Sequence, residues 1–411
     1  MRPRPSIIHK YHLPFQIAPM KSPIRHEWSL PDDVTYLNHG SFGPSPRVVR
    51  ESRERWSARL EQQPMQFFVR EAEQLLDSAC TRLGELVGSR GGNLTFVDNA
   101  TFGMNTVAES VELRPGDEVL LTDHEYGAVQ RIWRHACQRA GARMIIQPLP
   151  VPFETPEAVV EQLMSGVTER TRLIVFSHIS SPTAVILPAR QICDAARQRG
   201  LPVAIDGPHA VAMLPVDLKE LGCDFYTASC HKWLCGPFGT GFLYVHSRRQ
   251  PKLKPRIISW GGSISGRDAH WKDEHRWLGT RDPAPFLAVP DAIHFMRNYG
   301  LEKFRKETHA MARYARNRIL DVTGMQPLVP DSADWYGSMI SMPLPIPSRW
   351  KPPTHGKIDP LQLQLVERKI EAPVFGWNDR RFIRVSCHLY NSTDDVDRLV
   401  KALSECLAVE S

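Results

Sequence analysis

The chain has 411 residues, with 51 basic and 45 acidic side chains, a formal net charge of +6 and a hydrophobic fraction of 42%. That is ordinary for a soluble globular protein and too long for one small core, so a large domain with a smaller companion is expected. No basic stripe with interleaved aromatics points to nucleic acid, and no apolar run reaches the length of a membrane span.

In chain order, the first twenty-six residues contain Arg2, Arg4, Lys10, Lys21 and Arg25 and no acidic side chain. They are rich in proline and lack both a continuous apolar run and an arginine-faced helical pattern, so residues 1–30 read as a flexible or loosely docked arm rather than a targeting peptide. Met20 is a possible alternative start. From Leu94 to Val245 short apolar runs alternate with helical patterns. The candidate strands are Leu94–Val97, Glu118–Leu121, Met144–Ile146, Leu173–Phe176, Pro202–Ile205, Phe225–Thr227 and Gly241–Val245. They are not alternately polar and apolar, as expected for strands covered on both faces of a mostly parallel sheet. Helical segments such as Ala128–Ala140 and Ala189–Arg199 lie between them. The pattern implies an α/β fold, with a mostly parallel central sheet and helices on both faces, over residues 31–283. Beyond Val245 it changes. A polar, glycine-rich stretch runs from Arg248 to Arg281, and one long helical stretch from Pro285 to Val322. Strand-like Ser338–Met342, a helix at Pro360–Lys369, strand-like Phe382–Ser386 and a final helix at Thr393–Leu407 then make a smaller α+β C-terminal domain, 284–411.

Chemistry concentrates at Thr227-Ala228-Ser229-Cys230-His231-Lys232-Trp233, followed at once by Gly236, Gly239 and Gly241. A lysine alone is usually a solvated surface charge. This one sits between small polar residues and a tryptophan, beside a loop suited to close backbone approach. Upstream, Asp206-Gly207-Pro208-His209 closes an apolar run, which puts a carboxylate at a strand's C-terminal end, where open α/β sheets bind ligands. A lysine and a carboxylate so arranged are the two electronic handles of a pyridoxal phosphate (PLP) site: one for the Schiff base, one to keep the pyridine nitrogen protonated. The bland alternative for Asp206 and His209 is a turn with backbone-satisfied side chains. Phosphate needs backbone N–H donors at a helix start, and Asp98-Asn99-Ala100-Thr101-Phe102-Gly103 offers them, although the same residues read equally as an ordinary N-cap. Ser229 and His231 supply a second grip. No GxGxxG or GxxxxGK[ST] is present, which argues against dinucleotides and nucleoside triphosphates. The eight cysteines form no CxxC pairs or regular framework, so they read as free thiols in a reducing cytoplasm, and no metal is expected.

Taken in order, Tyr36–Pro44 (reading Asn38-His39-Gly40-Ser41-Phe42-Gly43), Asn99-Ala100-Thr101, Asp123–Tyr126, His178–Thr183, Asp206–His209, Ser229–Lys232, Gly279–Asp282 and Phe382–Ser386 with Tyr390-Asn391 resemble the class V aminotransferase family of fold-type I PLP enzymes, particularly its isopenicillin N epimerase-like branch. The resemblance runs from Tyr36 onward. It implies Lys232 as Schiff-base lysine, Asp206 as pyridinium partner, and His209 beside the ring oxygen. It implies a phosphate held by Asn99, Ala100, Thr101, Ser229 and His231. Tyr126 falls where relatives stack an aromatic on the ring, though it reads equally as a core tyrosine. Ser181 stands in a cofactor position that is asparagine in cysteine desulfurases. Arg384 matches the arginine that grips the substrate α-carboxylate, and its bidentate fork suits that task. Asn38 and His39 join it as expected substrate residues. Gly279-Thr280 matches a pair that reaches the neighbouring subunit's phosphate, so a homodimer with interfacial sites is implied.

The reaction is a choice within that family. Desulfurases need a mobile cysteine in the loop before the carboxylate arginine, and none lies between Arg349 and Arg384. Epimerisation or racemisation is expected first, then β-elimination of a C–S bond, then transamination. Lys232 can serve as acid and base in all three. Epimerisation wants a second proton carrier, for which Tyr126 and His39 are candidates. A non-catalytic PLP-binding regulator would carry a DNA-binding extension, and none is expected before Tyr36.

Overall fold

The computed structural model describes residues 20, 22–348, 350–353 and 357–410. β1 (Thr35–Tyr36) precedes a seven-stranded sheet made of β2 (Leu94–Val97), β3 (Glu118–Thr122), β4 (Arg143–Gln147), β5 (Thr171–Ser177), β6 (Val203–Asp206), β7 (Phe225–Ser229) and β8 (Gly241–Val245). Their spatial order is β2-β8-β7-β6-β5-β3-β4. β8 runs antiparallel to both its neighbours, and the remaining pairings are parallel.

The continuous apolar runs are explained by what covers each face. Along β3 and β5, Leu120, Ile174 and Phe176 enter one core with Phe96 and Ile205. Their neighbours Val119, Leu121, Leu173 and Val175 enter a second core with Val97, Leu243 and Trp133. Each such fully buried aliphatic side chain stabilises the fold by about 1.5–3 kcal/mol. The exception is β4, an edge strand that leaves Ile146 exposed. Helices start where the sequence caps them. Asn99 accepts from Phe102 N at 2.9 Å and opens the helix Ala100–Ser110. Thr155, followed by Pro156, opens Pro156–Ser165.

The stretch expected as one helix after Pro285 is three: Ala284–Leu287, Val289–Tyr299 and Leu301–Thr323. The last break falls at Gly300, whose φ of 96° no helical residue adopts. The first two pack against the helices Arg47–Gln62 and Ala72–Leu86, across the expected 283/284 boundary. Beyond them lie β9 (Met339–Leu344), β10 (Ile370–Glu371), β11 (Val374–Trp377) and β12 (Arg380–Ser386), then the helix Thr393–Glu410. β11, β12 and β9 form an antiparallel sheet, and β1 pairs in parallel with β10. A buried ion pair, Arg381 Nη2 to Asp359 Oδ1 at 2.5 Å, ties β12 to the helix Pro360–Glu367. Of the arm expected at 1–30, residues 22–30 are docked. Trp28 is buried and donates to Pro44 O, Ser22 Oγ donates to Leu389 O, and Arg25 donates to Tyr390 O. Residues 1–19 and 21 lie outside the described residues.

Candidate active site

The C-terminal ends of the parallel strands gather one set of polar side chains. Asp206 is the last residue of β6, and Ser229 the last of β7. Lys232 follows Ser229 in a tight turn closed by Cys235 N donating to Lys232 O at 2.8 Å. Its Nζ lies 3.0 Å from His209 Nε2. The protons in that contact can be assigned. Trp233 Nε1 is a donor only and points at His209 Nδ1 at 3.4 Å, so Nδ1 accepts and the neutral ring carries its proton on Nε2. Burial keeps His209 neutral. Nε2–H therefore donates to Nζ, which requires an unprotonated amine. Burial, and then the Arg384 charge, push Lys232 down from its ordinary value in agreement, with Asp206 pulling the other way. Asp206 is pushed up by burial and held back by Lys232. Asp206 is 4% exposed, and among the described residues its carboxylate receives no hydrogen bond.

A buried carboxylate without a donor, facing a neutral amine, fits PLP well. The ring nitrogen of that group supplies a cationic N–H, and its aldehyde reacts with an unprotonated lysine. The phosphate end fits too. Ala100 N donates to Ser229 Oγ at 3.1 Å at the start of the helix Ala100–Ser110, and His231 Nδ1 is buried with no partner. Asn99 is both the N-cap of that helix and part of the cavity lining.

Arg384 approaches from β12, between buried Ile383 and Val385. Its Nη1 donates to Ser181 O at 2.8 Å and Oγ at 3.1 Å, and Nη2 donates to Ser41 Oγ at 2.6 Å. Nε is buried without a partner, and no carboxylate of the described residues pairs with the guanidinium. Burial lowers it to about 10, so it stays cationic at neutral pH. A buried guanidinium without a counter-charge is a site for a carboxylate.

A cavity of about 290 Å³ is lined by Asn99, Ala100, Thr101, Tyr126, Ser181, Asp206, His209, Ser229, His231, Lys232 and Arg384, together with Ser41 and Phe42. Tyr126 is 49% exposed at the rim, which excludes the reading as a core tyrosine. Three residues do not line it. Thr280 is exposed and lies outside its own chain's cavity. Asn38 bridges Ser386 on β12. His39, expected at the substrate, is fully buried behind Lys232, where Nε2 meets Lys232 O at 3.0 Å. Although His39, Cys235 and His388 cluster, the proton His39 Nε2 gives that carbonyl leaves no lone pair there for a metal. The sequence reading missed Ser41 and Glu125. Ser41 sat inside the Asn-His-Gly-Ser-Phe-Gly segment already singled out. Glu125 is buried, accepts from Thr122 Oγ1 at 2.6 Å and Ser177 Oγ at 2.7 Å, and is pushed by burial up to about 7. A lone glutamate beside a rim tyrosine gives no sequence signal of that burial.

Fold and site together define a fold-type I PLP-dependent enzyme. The comparisons agree: the aminotransferase class-V family model matches residues 45–348, and the chain belongs to that PLP-dependent family. It is similar to an isopenicillin N epimerase of Amycolatopsis lactamdurans, 36% identical over 93% of this chain and 97% of that one. It is also similar to a putative L-cysteine desulfhydrase of Oryza sativa subsp. japonica, 26% identical over 91% of this chain and 83% of the other. A solved structure of a C-DES mutant with glycine covalently linked to the PLP cofactor superposes with a TM-score of 0.80 at 21% identity, covering 93% of this chain and 99% of that one. Among the described residues no helix is long and apolar enough to cross a membrane.

Proposed function

We propose that the protein is an epimerase or racemase that inverts the α-carbon of an amino-acid substrate. The observation that carries this reading is the convergence of Lys232, Asp206 and Arg384 on one cavity with Tyr126 at its rim. The full-length similarity to an epimerase supports it. Bound PLP supplies an electron sink that weakens the bonds at the α-carbon. Arg384 takes the α-carboxylate in its fork and so fixes which α-bond can break. Lys232, released as an unprotonated amine when the substrate's amino group replaces it on the cofactor, would remove the α-proton as base and could return it as acid. Asp206 would keep a proton on the pyridine nitrogen by supplying a negative charge in a buried site. Inversion needs a proton from the opposite face. Tyr126 is the candidate that reaches the cavity, whereas buried His39 does not.

A second reading, a C–S lyase, is favoured by the similarity to a cysteine desulfhydrase, and transamination is the third. Persulfide-forming desulfuration is disfavoured because all eight cysteines are buried and none precedes Arg384 in its loop. We further propose a cytoplasmic homodimer in which Gly279-Thr280 reaches the partner's phosphate, in keeping with Thr280's exposure away from its own cavity. Neither nucleic acid nor membrane is a proposed partner.

Incubation of the holoenzyme with an amino-acid panel in D₂O tests the choice. An epimerase gives α-deuteration with inverted chirality and no ammonia. Release of pyruvate and ammonia instead makes it a lyase, and exchange without inversion leaves only transamination.

A further inference from the structure

We propose that His39 is a positioning residue: with Gly40 and Ser41 it forms a bracket that fixes Lys232 relative to Arg384. The proposal rests on the reading that those two side chains serve cofactor and substrate.

A peptide carbonyl can only accept, so the 3.0 Å contact of His39 Nε2 with Lys232 O puts the ring proton on Nε2. Nδ1 then accepts from Tyr390 Oη–H at 2.9 Å. Burial holds the ring neutral, with its pKa down at about 3, so this single tautomer persists across physiological pH. Packing fixes the plane as well. The ring stacks on His388 with centroids 3.9 Å apart, and Tyr390 is itself held by Trp28 at 5.3 Å. Only glycine fits opposite: a Cβ on Gly43 would lie 2.5 Å from His39 Nε2. The receiving end is a strained turn, because Cys235, the other donor to Lys232 O, sits at a φ of 59°. His39 thus supplies the second of two bonds that shape the turn from which the Lys232 side chain departs.

The other end of the bracket holds the arginine. Two residues on, Ser41 Oγ accepts from Arg384 Nη2, and one residue back Asn38 bridges Ser386 on the same strand. One tripeptide therefore touches the lysine turn with its first side chain and the arginine with its last. Lys232 faces Asp206, His209, His231 and Arg384, so a shift of its turn changes its distance from every charge that sets its titration.

The test compares two amide substitutions in the PLP holoenzyme. In His39→Gln the side-chain N–H₂ falls near the Nε2 position and can still reach Lys232 O. In His39→Asn it falls near Nδ1 and cannot. We expect His39→Asn to move the pH midpoint of the bound cofactor's visible absorbance by about one unit and to raise the KM of the reacting amino acid about tenfold, as for a lost buried hydrogen bond. His39→Gln should stay within about twofold of wild type on KM, with the midpoint unmoved. A folded His39→Asn protein with the wild-type midpoint and KM overturns the proposal, and so does a Gln variant as impaired as the Asn variant, which would make the ring mere filling. Should His39→Asn not fold, Tyr390→Phe keeps the ring and removes only the hydroxyl that locks the tautomer. It should shift the midpoint in a smaller amount, and no shift there overturns the bracket. If wild-type protein exchanges no α-proton of any amino acid, the reaction reading fails while the absorbance arm still judges His39.

Discussion

At the residue scale, two side chains make separable demands. Arg384 is buried, cationic and without a carboxylate partner among the described residues, while both Nη atoms are already oriented by Ser181 and Ser41. Arg384→Lys keeps the charge but loses the planar fork. KM for a carboxylate substrate should rise about 10- to 100-fold, with kcat moving less and the cofactor absorbance unchanged. Wild-type KM in that variant would remove Arg384 from substrate recognition. Glu125 makes the opposite kind of demand. Its folded pKa is raised from 4.5 to about 7 by burial, so folding favours the protonated form. The stability tied to that proton is complete below about pH 4.5 and is lost as pH rises through about 7. Glu125→Gln cannot ionise, so relative to wild type it should gain on the order of 2–3 kcal/mol between pH 4.5 and pH 8. Urea-unfolding midpoints of both proteins at the two pH values check this, and a pH-independent difference would show that folding does not shift the titration of Glu125.

At the element scale, the strands were legible because burial on both faces writes itself as unbroken apolar runs. All seven expected runs of the large sheet are strands, and each of the helices expected at Ala128–Ala140 and Ala189–Arg199 lies within one residue of its observed bounds. The antiparallel sense of β8 was not legible, since a Gly-rich turn of a few residues after Lys232 gives no direction by itself. Nor was β11. Val374–Trp377 is short and half-buried, and it is defined by pairing with β12 rather than by its own pattern. The site followed the same rule. Asp206 and Ser229, at strand ends, line the cavity, whereas His39 lies buried outside it, because polarity in a sequence does not reveal which face of a segment turns inward. The helix break at Gly300 shows how a local rule overrides periodicity. The apolar spacing continues through it, yet a φ of 96° is open to glycine and strained for any residue with a Cβ. Gly300→Ala should therefore destabilise by about 1–3 kcal/mol although the space beside it is nearly open. A thermal midpoint equal to wild type would mean that the two helices can fuse without cost.

At the scale of the whole molecule, chain ends and middle are interlocked: β1 pairs with β10, and the residues around Trp28 pack on Tyr390 close behind Lys232. Thr280, expected at a phosphate, stands exposed and outside the cavity of its own chain. If Thr280 serves the partner's phosphate, sites must be shared, and sharing has a consequence that no monomer can imitate. Lys232→Ala alone has no reactive amine. Thr280→Glu alone sets a negative charge against each partner's phosphate and should retain cofactor weakly. In a mixed dimer, the subunit with the intact lysine receives the intact Thr280 from its neighbour, so one wild-type site is rebuilt from two defective chains. The other site carries both defects. With random assortment, half the dimers are mixed, and about one quarter of all sites should recover α-proton exchange and visible absorbance when the two variants are co-expressed. Recovery should vanish if the variants are purified separately and mixed faster than subunits exchange. No recovery from co-expressed chains that do form dimers would mean that Thr280 acts in its own subunit, and that each cavity is complete without its neighbour.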